Sequence, residues 1–369
     1  MEKFDGCVNE CSSISSFSEE LKLYTKNMFS CSSGIFDKLP LLDEDFVGTW
    51  RAYLDESKKK GVFQTLKSRL PQLNFPVEKG VSTSEEYLAA IRAEKLIADI
   101  SPNSGLALEE PCKIELIIHK TPAGSIPVII VRNRNDFVSL FRALAFKNEP
   151  VGIPSSTGAC AISGYNNCER YLAYRKSQLT EDPLGLMPPA TKKSMYQDSF
   201  LLLSDGPYSG IFAEKAGFDE NAWREYSLKI RLGHESAHYF TRRCLGSMRN
   251  NAHDELIADF AGIREAFGKY DSGLFLKFCG IENFPNISPT GRIQNYKGTP
   301  KLSDGAFVEM CALLHAAAAN VESFDKKYGE NFSRGDFTVA AILCMASLTL
   351  DEIAGKNGFK LLEKYFDLI

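Results

Sequence analysis

The chain has 369 residues, of which 44% are hydrophobic and 24% charged, the balance of a folded soluble protein rather than a disordered or fibrous one. Its length suits two or three ordinary domains, or one large domain with insertions. A formal charge of -4 argues against a general nucleic-acid binder, which carries a basic face, and no stretch approaches the roughly 18 uninterrupted apolar residues of a membrane span.

The first sixteen residues contain Glu2, Asp5 and Glu10 and lack the basic start and apolar run of a secretory signal, so the expected location is cytoplasmic. Ten cysteines are scattered through a chain too long to need stapling, and they are read as reduced thiols. Cys7 and Cys11 have no second pair at a zinc-knuckle spacing.

Apolar residues at three- and four-residue intervals predict helices over 17–28, 44–70 and 83–98. After Pro111 the pattern changes to β-branched runs at 114–118 and 126–131, joined by the turn-rich Thr121-Pro122-Ala123-Gly124 as a hairpin. Helical spacing returns at 135–147. Residues 159–163 read as a short strand, 166–176 as a helix, the proline-rich 177–197 as a long loop and 199–204 as a strand. Asp219 caps a helix over 221–244 that Gly246 stops, and a second begins near Asn250 or Asn251 and runs to about 270. A Gly/Pro/Asn-rich connection at 280–305 precedes two or three further helices over 305–368.

Within helix 221–244 stands Arg231-Leu232-Gly233-His234-Glu235-Ser236-Ala237-His238-Tyr239-Phe240, an HExxH pattern. Four-residue spacing puts His234 and His238 one turn apart on one face, so both imidazoles can reach a common ion at about 2.0–2.1 Å. Glu235 projects to the neighbouring side, where it can take a proton from metal-activated water without being a ligand. A catalytic zinc needs a third protein ligand and an open position. The next helix begins Asn251-Ala252-His253-Asp254-Glu255-Leu256-Ile257-Ala258-Asp259. Glu255 would complete a His2Glu site, and Asp259 would accept the free ring N–H of a ligand histidine. His253 competes as third ligand; Glu255 is preferred because only it gives Asp259 a role behind the metal. Asp254 is read as an acidic residue favouring the helix start.

At these residues the sequence resembles the gluzincin type of zincin metallopeptidase, whose pattern is HExxH followed on a later helix by ExxxD. The resemblance implies one Zn2+ per chain held by His234, His238 and Glu255, Glu235 as general base and Asp259 as the carboxylate behind a ligand histidine. The strand before the motif helix is also similar to zincins, whose edge strand lies along the substrate. The expected fold is α+β: a mainly helical N-terminal region (1–110), a zincin-like catalytic domain with a small mixed sheet and two motif helices (111–270), and a helical C-terminal region (271–369). The expected activity is zinc-dependent hydrolysis of peptide bonds in a peptide or protein substrate, with no nucleic-acid or membrane partner. The alternatives are a zinc hydrolase of a non-peptide amide or ester, and a catalytically silent zinc-stabilised regulatory protein. The intact Glu235 speaks against the last, because a structural zinc site needs no base.

An oxyanion also needs a donor. His315, on the helix predicted from Gly305, is the candidate, set against a histidine that simply packs in that helix; Tyr239 and Arg249 are nearer in sequence. His119 is read as structural. Cys160, in the small-residue run from Gly158 to Gly164, has no base to activate it and is assigned to a tight turn.

Overall fold

Ser18 opens the first element, its hydroxyl accepting the Leu21 amide at the N-terminus of α1 (Glu19–Thr25). The structure, a computed structural model, describes residues 18–31, 34–93, 105–181, 192–299, 301–330 and 334–369. The Cys7/Cys11 pair and the expected helical residues 94–98 therefore lie outside the described residues. The chain forms two compact units, one from the residues up to Leu39 together with those from Ile211 onward, the other from Pro40–Gly210. These cuts do not fall at 110 and 270: the sheet belongs to the second unit and both motif helices to the first.

In the second unit, α2 (Phe46–Lys60) and α3 (Val62–Lys67) occupy the span expected as one helix. Gly61 divides them, because its φ of 82° lies in the left-handed region that glycine adopts without strain. Ser84 caps α4 (Glu85–Ile91). The expected hairpin forms as β1 (Glu115–Thr121) and β2 (Gly124–Ile130), followed by α5 (Arg134–Ala145), β3 (Ala159–Asn166), α6 (Cys168–Glu181) and β4 (Gln197–Leu203). The sheet order is β1-β2-β4-β3. The β2–β4 pair is parallel and the other two are antiparallel, a small mixed sheet as expected. Of the span expected as a loop, 177–197, α6 takes the part up to Glu181, and residues 182–191 lie outside the described residues. Trp50, Phe137, Leu140, Phe200 and Leu202 lie in the core of this unit, where the Trp50 indole donates to Asp198 at 2.8 Å.

In the first unit, α7 (Ala213–Ala216) leads into α8 (Glu220–Leu245), which Asp219 caps and Gly246 ends with a φ of 71°. A short turn returns the chain to α9 (Ala252–Phe267), opened by a capping box between Asn251 and Asp254. Then come α10 (Ser272–Cys279), a 3-10 turn at Arg292–Tyr296, α11 (Asp304–Tyr328), α12 (Arg334–Ala346), α13 (Leu350–Ala354) and α14 (Gly358–Phe366). Among the described residues the stretch from 305 onward thus holds four helices where two or three were expected. Thr349 splits the last part by capping α13 with a capping box of its own. The molecule is α+β, and no helix among the described residues is long and apolar enough to cross a membrane.

What positions the site is the crossing of α8 on α9. A Cβ on Gly233 would lie 2.8 Å from the Gly262 Cα, and one on Gly262 would strike the Ile230 carbonyl oxygen. The two backbones touch because neither glycine has a side chain, and His234 is the next residue along. Every residue of α9 from Ala252 to Arg264 is buried, although His253, Asp254, Glu255, Asp259 and Arg264 are among them. An alanine at Gly262 must push the helices apart, at a cost of about 1–3 kcal/mol for overpacking. Urea unfolding of Gly262→Ala should show that loss as a lower midpoint; an unchanged midpoint would mean that the crossing is not tight.

Candidate metal centre

Four-residue spacing on α8 brings the His234 and His238 rings together, with their Nε2 atoms 3.1 Å apart. From α9 the Glu255 carboxylate faces both, Oε2 lying 3.6 Å from His234 Nε2 and Oε1 3.6 Å from His238 Nε2. All three side chains are buried, and one donor atom from each lies within 4.8 Å of the others. Zinc bonds of 2.0–2.1 Å in a tetrahedron place neighbouring ligand atoms about 3.3 Å apart, so the spacing fits such an ion.

The orientation of the rings fits as well. Asp259 Oδ1 lies 2.8 Å from His234 Nδ1, and a carboxylate can only accept, so that nitrogen carries the proton and Nε2 turns a lone pair toward the cluster. Two imidazole lone pairs meeting at 3.1 Å repel unless a proton or a cation lies between them.

Two further residues hold the carboxylates, and sequence reasoning missed both. Arg292 donates to Asp259 Oδ2, and the Tyr296 hydroxyl donates to Glu255 Oε2 at 2.8 Å. Both stand on the 3-10 turn inside the stretch read as a connection. Five residues are too few for periodicity to show. An Arg and a Tyr four apart carry no same-face signal on a 3-10 turn, whose side chains eclipse at three-residue spacing.

The charges follow from these contacts. Burial opposes charge on Glu255, but the two histidines and Arg292 outweigh it and hold the carboxyl well below the usual range. Asp259 is lowered too, burial again being overcome by Arg292 and His234. For His238, burial pulls downward, and the Glu255 carboxylate, with Glu235 and Asp254 behind it, raises the ring from 6.5 to about 9. The cluster without metal therefore keeps a proton on His238 where an ion would carry the positive charge.

Glu235 is half-buried beside His234 and makes no hydrogen bond or ion pair with any described residue. His253, the rival third ligand, is turned away: its Nε2 donates to the Met345 carbonyl at 3.0 Å and its ring meets Phe29 edge-on. Burial lowers its pKa to about 4, so it is neutral. Asp254 closes the capping box. His315 sits on α11 with its ring 6.1 Å from Phe284, and no hydrogen bond or ion pair joins it to the cluster. Tyr239 is buried with Arg243 over its ring, and Arg249 ties its guanidinium to the Lys26 carbonyl and its amide to Asp254. In the second unit, His119 lies within β1 and Cys160 within β3.

A family model matches residues 7–357. The chain belongs to the family of unknown function DUF7005. The DUF7005 match spans every residue of the cluster, together with Glu235, Arg292 and Tyr296. No curated protein and no solved structure matches the chain.

The proton on His238 sets a pH dependence. Because its pKa is raised, it stabilises the metal-free fold fully below about pH 6.5, and that contribution disappears as pH rises through about 9. A zinc ion bound by this cluster would have to displace the same proton, so its apparent affinity should climb about tenfold per pH unit between 7 and 9 and then level off. Competition against a chromogenic chelator across that range measures it, and a flat profile would contradict the shared proton. Arg292→Leu leaves Asp259 buried without its cation and should weaken zinc binding by about 10–100-fold, the usual effect of losing a partner behind a ligand; affinity within twofold of wild type would remove Arg292 from the site.

Proposed function

We propose that the protein is a zinc-dependent hydrolase of peptide bonds, with His234, His238 and Glu255 as metal ligands and Glu235 as general base. The observation that carries this reading is the contrast among the carboxylates. Glu255 and Asp259 are buried and held by named donors, while Glu235, on the helix that supplies both histidines, is half-buried with no hydrogen-bond or ion-pair partner among the described residues. A purely structural zinc site needs no such group and closes its fourth position with another ligand.

Zinc, when bound, would supply a Lewis acid for the substrate carbonyl and bring the pKa of water down to about 7. The chain's own residues divide the remaining work. Asp259 holds the His234 Nδ1 proton and so keeps Nε2 free for the metal. Tyr296 fixes the Glu255 carboxylate against the two rings. The Glu235 carboxylate takes the proton from the attacking water and hands it to the leaving amine, a general acid–base contribution of roughly 10²–10⁴-fold. The peptide bond as substrate rests on the order HExxH, then Glu255 and Asp259 on a later helix, which resembles gluzincins. The described cysteines are all free thiols, which agrees with action in a reducing compartment such as the cytoplasm.

Purified protein should contain about one zinc per chain, and Glu235→Gln should keep it while peptide-library cleavage falls by at least about 10²-fold. Glu255→Ala should lose the metal and His253→Ala retain it. Stoichiometric zinc with no cleavage by either the wild type or Glu235→Gln would leave the metal centre standing and sink the peptidase reading; metal retained in Glu255→Ala would overturn the ligand assignment.

A further inference from the structure

The third ligand is held through two connections that begin far away in sequence. The Tyr24 hydroxyl, near the end of α1, accepts the Ala252 amide at 2.8 Å and donates to the Tyr296 carbonyl at 2.7 Å. Ala252 is the first residue of α9, one of the helix-start amides that have no partner within the helix. Tyr296 is the residue whose own hydroxyl holds Glu255. One phenol oxygen thus bridges the element that carries the ligand and the turn that grips it.

The bridge is built to be specific. Tyr24 is 6% exposed and uses its hydroxyl once as donor and once as acceptor. Burial raises its pKa well above the usual phenol value, which keeps the proton it donates. The segment around it is anchored independently: the Asn27 amide donates to the Ala346 and Leu348 carbonyls, the Ser30 amide to the Leu245 carbonyl at 2.9 Å, and the Phe29 ring meets His253. The N-terminal strap therefore arrives at Tyr24 already fixed at its other end.

We propose that Tyr24 is a positioning residue for the metal centre: by spanning Ala252 and Tyr296 it sets the gap across which the Tyr296 hydroxyl reaches Glu255. This rests on the metal reading of the cluster. Removing the hydroxyl leaves the ring's packing in place but frees the start of α9 from the 292–296 turn, so Glu255 loses its fixed orientation.

The test is metal release from the full-length protein into excess chelator, followed for wild type, Tyr24→Phe, Tyr296→Phe, the double variant and Asn27→Ala. Tyr24→Phe should release zinc about tenfold faster, at the low end of the effect of losing a partner behind a ligand. The double variant should release it more slowly than the product of the two single effects requires, because both act on the same hydrogen bond. Asn27→Ala, which loosens the same strap elsewhere, should lower the melting temperature of the metal-free protein yet stay within twofold of the wild-type release rate. By reciprocity zinc should also increase hydrogen-exchange protection of the Ala252 amide in the wild type, a measurement that needs no variant to fold. Release unchanged in Tyr24→Phe, matched by Asn27→Ala, or strictly multiplicative in the double variant overturns the inference, as does equal Ala252 protection with and without zinc; in each of these cases the metal centre itself stands. A wild type that takes up no zinc overturns the metal reading and this inference with it.

Discussion

Two carboxylates on a helix without an exposed face are the constraint from which the rest of the first unit follows. Glu255 is 4% exposed and Asp259 fully buried, one turn apart on α9. An ion in that position without a partner costs several kcal/mol, so each needs a positive or hydrogen-bonding neighbour on more than one side. Asp259 has His234 on one oxygen and Arg292 on the other. Glu255 has Tyr296 on one oxygen and the two imidazole edges facing it at 3.6 Å. A helix chosen only for core packing would carry leucines at these positions. The arrangement makes sense as a holder for a cation, and without one a proton on His238 takes over that charge.

Holding carboxylates this way demands close backbones. Imidazoles reach only a few ångström from their helix, and the Gly233–Gly262 contact brings α8 and α9 near enough for the His234 ring to meet Glu255 and Asp259 together. The turn between the helices is fixed at both ends, by the left-handed Gly246 and by the Asn251–Asp254 capping box. The two remaining supports come from elsewhere in the chain, Arg292 and Tyr296 after α10 and Tyr24 before the whole of the second unit. Yet Tyr24, the two motif helices and the 292–296 turn all belong to one compact unit.

This explains what could be read in the amino-acid order and what could not. His234, Glu235 and His238 are legible because helical periodicity alone puts the two rings on one face, and Glu255 with Asp259 is legible for the same reason one helix later. The hairpin follows from β-branched runs and turn residues, whereas the small mixed sheet was expected through the resemblance to zincins. The supports were invisible because their role depends on tertiary contacts: Tyr24 looks like any apolar-face residue of a short helix, and Arg292 and Tyr296 lie in a segment whose Gly, Pro and Asn content reads as connection. The extent of the first unit was hidden for a related reason. Residues 40–210 form a unit with a core of their own, and nothing in local composition marks Leu39 and Ile211 as belonging together. The single helix expected over 44–70 failed at one position, Gly61, where backbone conformation overrode side-chain periodicity.

The same physics separates the two glutamates to which the proposal gives different roles. Both are glutamates, and the difference lies in what surrounds them. Glu255 is buried, oriented by Tyr296 and stripped of its proton by positive neighbours, so it is a fixed anion suited to a cation and to nothing mobile. Glu235 projects from the same turn as His234, is only partly buried and has no hydrogen bond or ion pair among the described residues, so nothing in the fold fixes its carboxylate in one orientation. Had Glu235 been gripped as Glu255 is, a proton reaching it would have had to break a buried ion pair. A fully paired set of buried carboxylates and imidazoles beside one carboxylate without such a grip is the contrast on which the proposed hydrolytic role rests, because a purely structural metal site has no use for the second kind.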